Sequence, residues 1–171
     1  MIFKHIDGVS VKAQFAKEGG LLYRYRLVID LQNQLADGKT ACVVMQNPSY
    51  ASEEIADKSV QFMEKVVFQK KDPPVPPNIH RLIVVNQFAR VQTNHFKGLP
   101  VDIGKRNDSA IETALREAEI VILAWGCANP YTERQAFVMD MLNNMEHKQV
   151  FNTRSHPSRG RYEGFVLPLI A

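Results

Sequence analysis

The sequence predicts an α/β fold: a three-layer domain with a mainly parallel central sheet. Three observations carry this. Apolar runs recur at residues 40–45, 81–85 and 120–125, nearly continuous and rich in β-branched side chains, as strands buried on both faces are. Between them lie stretches whose apolar residues recur at helical spacing. The two patterns alternate along the chain, which is the signature of crossover units and hence of parallel strands.

Taken in order, residues 1–20 read as a hairpin-like N-terminal extension turning at Asp7-Gly8, and residues 21–171 as the core of a single domain. Residues 21–31 read as a strand, in which Tyr23-Arg24-Tyr25-Arg26-Leu27 alternates apolar and basic side chains. The run at 40–45 is a buried strand. A helix is expected over 53–68, with Ile55, Val60, Met63, Val66 and Val67 on one side. Residues 70–77 read as a stiff surface loop, because prolines at 73, 74, 76 and 77 forbid both helix and central strand. After the run at 81–85, a helix over 107–119 places Ile111, Leu115 and Ala118 together behind an Asn-Asp-Ser start suited to an N-cap. The run at 120–125 follows, then a helix over 132–146 and a last short strand starting at Val150-Phe151.

With 171 residues, 45% hydrophobic and 23% charged, the chain suits one globular domain and not a disordered or coiled-coil one. Its two cysteines, Cys42 and Cys127, sit in apolar runs and read as small buried hydrophobes. They make neither a disulfide framework nor a metal-ligand spacing, which suits a reducing compartment, so a cytoplasmic location is expected. The N-terminus has no apolar leader region, and no run approaches the about 18 apolar residues of a membrane span, so no membrane partner is expected. No pair among the five histidines has metal-site spacing; neither a metal nor any other cofactor is expected. The net charge of +3 is too mild to announce a nucleic-acid partner by itself. The oligomeric state has no signature.

In such a sheet, ligands sit beyond the carboxyl ends of the strands. Those ends read Gln46-Asn47-Pro48-Ser49-Tyr50, Asn86-Gln87-Phe88-Ala89-Arg90, Gly126-Cys127-Ala128-Asn129, and 153–159, which contains His156-Pro157-Ser158-Arg159. None carries a Gly-rich phosphate fingerprint, which leaves out a dinucleotide site and a P-loop. Pro48 pushes Asn47 towards an extended conformation and so fixes its amide, either to orient a water or polar ligand or simply to start a turn. Asn86 ends a strand and is either a second amide for the crevice or a structural strand-end residue. His156 titrates near neutrality and suits hydrogen bonding to developing negative charge, unless it is an exposed loop histidine. Ser158, Arg159 and Arg161, with Arg154 and Ser155 nearby, are the groups that phosphate oxygens need; a solvated basic loop is the competing reading. Trp125-Gly126 reads as packing and a turn.

The segments Arg24-Tyr25-Arg26-Leu27, Val44-Met45-Gln46-Asn47-Pro48-Ser49, Asp57-Lys58-Ser59, Val84-Val85-Asn86-Gln87-Phe88-Ala89, Asn107-Asp108, Ala124-Trp125-Gly126 and His156-Pro157 resemble the uncharacterised bacterial family named domain of unknown function 1643. The likeness spans about residues 23–167. The same order of motifs resembles, more loosely, the uracil-DNA glycosylase superfamily. That resemblance implies its fold, with a small N-terminal β addition, and a base-recognising protein that cleaves the N-glycosidic bond of a modified base in nucleic acid or a nucleotide. Asn47 would position the attacking water and His156 would stabilise the departing base. Gln46, Ser49, Asn86 and Phe88 would bind that base, with Phe62 a further stacking candidate. Ser158, Arg159 and Arg161 would meet phosphate.

Three departures stand out. Asn47 replaces an acidic residue and can position water but not take its proton. Ser49 replaces a bulky Tyr, which widens the pocket. Gly160 stands where duplex-reading relatives carry an apolar wedge, a role left to Arg159 or Tyr162. Two other readings use the same scaffold: a catalytically silent nucleotide- or nucleic-acid-binding module, and a protein-interaction domain.

Overall fold

The computed structural model describes residues 2–32, 38–69, 74–161 and 164–169. Its elements run β1 (Val9–Glu18), β2 (Leu21–Leu31), β3 (Lys39–Met45), α1 (Lys58–Phe68), β4 (Ile79–Asn86), α2 (Pro100–Ile103), α3 (Asn107–Glu117), β5 (Ile120–Leu123), α4 (Thr132–Asn143), β6 (Gln149–Thr153), a 3₁₀ turn (Pro157–Arg159) and β7 (Val166–Pro168). Of the expected proline loop, 70–73 lie outside the described residues, as does Tyr162.

Among the described residues, one seven-stranded sheet has the order β1-β2-β4-β3-β5-β6-β7. The inner strands β4-β3-β5-β6 are parallel. β1 pairs antiparallel with β2, β2 with β4, and β7 with β6. The sheet is therefore mixed, not mainly parallel as the alternation of runs predicts. The antiparallel strands lie where that alternation says nothing. Gly19 and Gly20, at φ +57 and +78, join β1 to β2 by a two-residue turn of the kind tight hairpins need. Such a connection is too short for a crossover, so it forces antiparallel pairing. Asp7-Gly8 makes only the local turn before β1.

The continuous apolar runs are continuous because both faces are covered. Leu27, Ile29, Ala41, Val43, Met45, Leu82, Val84, Ile120 and Ile122 face Val60, Met63, Val66 and Val67 of α1. The alternate residues Cys42, Val44, Ile83, Val85, Val121 and Leu123 face Ile111 and Leu115 of α3 and Val138 and Leu142 of α4. Each such aliphatic side chain contributes about 1.5–3 kcal/mol by leaving water. Cys42 is one of them; burial pushes its thiol up to about 12, so it is inert. Cys127, in contrast to its expected burial, is exposed, because β5 ends at Leu123 and leaves it in the following loop.

Three local departures bear on the site. α1 starts at Lys58, not at 53, because Asp57 caps it by accepting from Val60 N at 2.8 Å and Ala56 pairs with Phe3 instead. α3 is not capped by its Asn-Asp-Ser start. Asn107 lies in the first turn, buried, and its Nδ2 donates to the carbonyls of Asn86 (2.9 Å) and Gln87 (3.2 Å), pinning the end of β4. Arg24, one of the basic residues in the alternating run of β2, is 2% exposed, and its guanidinium donates to Ala51 O and Asn86 Oδ1. No helix among the described residues is long and apolar enough to cross a membrane.

Candidate functional site

In an open array of parallel strands, the binding crevice lies where successive crossovers leave in opposite directions. Here that point is the carboxyl end of β3. The chain leaves β3 for β4 on one side and later passes to β5 on the other. A cavity of about 600 Å³ opens there. Gln46, Asn47, Ser49 and Tyr50 line it from the loop after β3, and Asp57, Lys58 and Ser59 from the start of α1. Trp125 to Asn129 line it after β5, Ser155, His156, Ser158 and Arg159 after β6, and Gln92 and Thr93 complete the wall.

Asn47 is locked. Its Nδ2 donates to Gln92 O at 2.7 Å and Pro48 O at 3.2 Å, and its Oδ1 accepts from Gln46 Nε2 at 3.0 Å. Both amide hydrogens are thus spent on backbone carbonyls. What remains for a ligand or water is the second lone pair of Oδ1, a pure acceptor. Gln46 is itself held by Asn129, whose Nδ2 donates to Gln46 Oε1 (3.2 Å) and to Gln87 Oε1 (2.8 Å). Gln46 keeps one amide N–H and one lone pair, a donor-acceptor edge on the cavity wall.

His156 precedes Pro157 and caps the 3₁₀ turn: its Nδ1 accepts from Ser158 N at 3.2 Å and lies 3.0 Å from Ser158 Oγ. A backbone N–H aimed at Nδ1 fixes the neutral tautomer with its proton on Nε2. Burial, reinforced by the positive charge of Arg159, holds the imidazole pKa below its ordinary value despite the opposing charge of Asp57. Near neutral pH the side chain is therefore an uncharged donor through Nε2–H, which has no partner among the described residues. Gly126 makes room for it. At φ +94, its missing Cβ would lie 2.9 Å from His156 N.

Six of the residues expected at the site line this cavity: Gln46, Asn47, Ser49, His156, Ser158 and Arg159. Three others do not. Asn86 is 2% exposed, with Oδ1 accepting from Arg24 and Nδ2 without a partner among the described residues. Phe88 is buried among Phe96 and Tyr131, on a separate cavity of about 380 Å³ shared with Arg134. Arg161 is exposed and outside the lining. Phe62 is buried edge-on against Phe165, in the core beneath Gly160. Arg154 turns away to donate to Gly164 O.

Lys58, Ser59, Gln92 and Thr93 line the cavity without being expected there from the sequence, and so does Trp125, which reads as packing. A signal existed for two of them: Asp57-Lys58-Ser59 is a helix start directly after a strand, and such starts share the sheet edge with the strand ends. Among the described residues, no group of three or more His, Cys, Asp or Glu side chains is placed to hold a metal ion.

Fold and site together define a mixed α/β protein with a polar cavity at the switch point of its sheet. The chain belongs to the family described as Protein of unknown function (DUF1643), whose model matches residues 24–159 and so takes in every strand end that lines the cavity. No curated protein and no solved structure gives a significant match.

Proposed function

We propose that this cavity recognises a nucleobase in a nucleotide or nucleic acid and hydrolyses the N-glycosidic bond that holds it, on a three-layer fold of the uracil-DNA glycosylase kind. One observation carries the reading: a locked acceptor, Asn47 Oδ1, and a neutral donor, His156 Nε2–H, line the same cavity. In the reaction, the bond between sugar C1′ and the base nitrogen breaks, and its electron pair leaves with the base. The water oxygen bonds to C1′, one water proton passes to solvent, and the base takes up one. The products are free base and sugar. Positive charge grows on the sugar and negative charge on the base, so His156 Nε2–H at a base oxygen stabilises the transition state more than the ground state. Asn47 accepts a hydrogen bond from the water and holds its lone pair towards C1′ without taking the proton. Gln46 reads the base edge, with Ser49 leaving width in the pocket.

The test is release of free base, followed by chromatography, from nucleotides and oligonucleotides carrying uracil, hypoxanthine, xanthine or hydroxymethylated pyrimidines. Loss of His156 Nε2–H in His156→Ala is expected to slow release by about 10²–10³-fold. Asn47→Ala is expected to slow it as well while leaving binding nearly intact. Binding without release on any substrate would favour the silent binding module, which the absence of a basic group at Asn47 also fits.

A further inference from the structure

We infer that the ligand of this cavity is a free nucleoside monophosphate rather than a base drawn out of a duplex. The inference rests on the nucleobase reading above and narrows it. Three features point the same way.

The first is size. A cavity of about 600 Å³ is of the class that takes up and buries a whole small ligand. Base, sugar and one phosphate fit that description together.

The second is charge. Among the described residues the lining carries two cations, Lys58 and Arg159, and one carboxylate, Asp57, whose Oδ1 caps α1 and whose charge lowers the balance to +1. Two cations match one phosphate group, whereas proteins that hold nucleic-acid strands contact some 6–10 phosphates. Behind the wall, the buried guanidinium of Arg24 donates to Ala51 O, directly after Tyr50, and feels the negative charge of Asp57 without an ion-pair contact to it. A buried cation with no carboxylate in direct contact adds positive potential to the neighbouring cavity.

The third is the rim. Extruding a base from a duplex calls for an apolar side chain that fills the gap in the stack. On the turn after His156, Pro157 is buried and Ser158 and Arg159 are polar. Gly160 faces inward: a Cβ there would lie 2.5 Å from the Phe62 ring, in the core. Among the described residues, Tyr50 is the one exposed large apolar side chain of the lining. It serves as a platform on which the base of a small ligand stacks.

Titration calorimetry tests this with deoxynucleoside 5′-monophosphates, the matching nucleosides, inorganic phosphate, and single- and double-stranded oligonucleotides carrying the same bases. One or more monophosphates are expected to bind at least tenfold more tightly than the nucleoside or phosphate alone. Lys58→Gln and Arg159→Gln, both exposed positions that leave the core untouched, should each remove most of that advantage while circular dichroism stays unchanged. Affinity should fall with salt, with a slope of log affinity against log salt of about −1, as for one phosphate. Tight binding of oligonucleotides with no binding of monophosphates would overturn the inference and leave the glycosidic reading standing. Phosphate binding as tightly as the nucleotides, or no binding by any nucleoside, nucleotide or oligonucleotide, would overturn both.

Discussion

At Asn47, a single amide decides what the cavity can do. Its two N–H groups meet Gln92 O and Pro48 O, so the position is built for a donor on that side. An aspartate would set a carboxylate oxygen against two carbonyl oxygens. Asn47→Asp is therefore expected to lower stability by about 1–3 kcal/mol in urea unfolding, and to fail to raise activity. A variant that is as stable as the parent and faster would show that the amide is a degraded base instead. The sequence makes half of this legible. Pro48 announces that Asn47 is held in one direction, but Gln92 lies 45 residues along the chain and nothing local names it as the partner. Asn86 illustrates the converse. A strand-end amide reads as a cavity residue, yet Arg24 Nη2 at 3.3 Å occupies its oxygen, and burial to 2% closes it off.

Between elements, the N-terminal segment is clipped to α1 by a buried pair. His5 Nδ1 lies 2.6 Å from Glu64 Oε2, His5 Nε2 donates to Ser52 O at 2.7 Å, and Ile6 N donates to Glu64 Oε1 at 3.2 Å. Burial works to lower the His5 pKa, but the Glu64 and Ser52 hydrogen bonds outweigh it and the net shift is upward. A histidine with a raised folded-state pKa contributes stability that is complete below its unfolded value of 6.5 and is lost as pH rises through the folded value. His5→Ala is expected to cost about 3 kcal/mol at pH 5.5, since the carboxylate of Glu64 is left buried without its main partner. Urea unfolding across pH should show the gap between parent and variant narrowing as pH rises; a gap that widens would contradict the pairing. Neither residue stands out in the sequence, because His5 precedes the strands and Glu64 occupies what reads as the polar side of a helix. Val60, Met63, Val66 and Val67, by contrast, declare the buried face of α1 directly through their spacing.

For the whole molecule, the order of the sheet sets where stability concentrates. Residues Ala41 to Met45 of β3, Leu82 to Asn86 of β4 and all of β5 are buried. β1 at one edge alternates half-buried and exposed residues and has no partner strand on its outer side among the described residues. Hydrogen exchange is therefore expected to be slowest in β3, β4 and β5 and faster by orders of magnitude in the outer half of β1 and in β7. Equal protection across the sheet would mean that the edges unfold only with the core.

The inner strands, the helices between them and the polar character of the strand ends can be read along the chain, because burial on both faces writes continuous apolar runs and helical burial writes a 3.6-residue period. Six of the residues singled out at those ends line the cavity. The remaining features arise from contacts made only in the folded chain. Strand direction at the edges follows from connection length and pairing, which leave no periodic trace. Whether a strand-end side chain faces the cavity or the interior depends on partners distant in sequence: Arg24 holds the Asn86 amide inward while Asn107 pins its carbonyl, and Gly126 yields the space in which His156 stands.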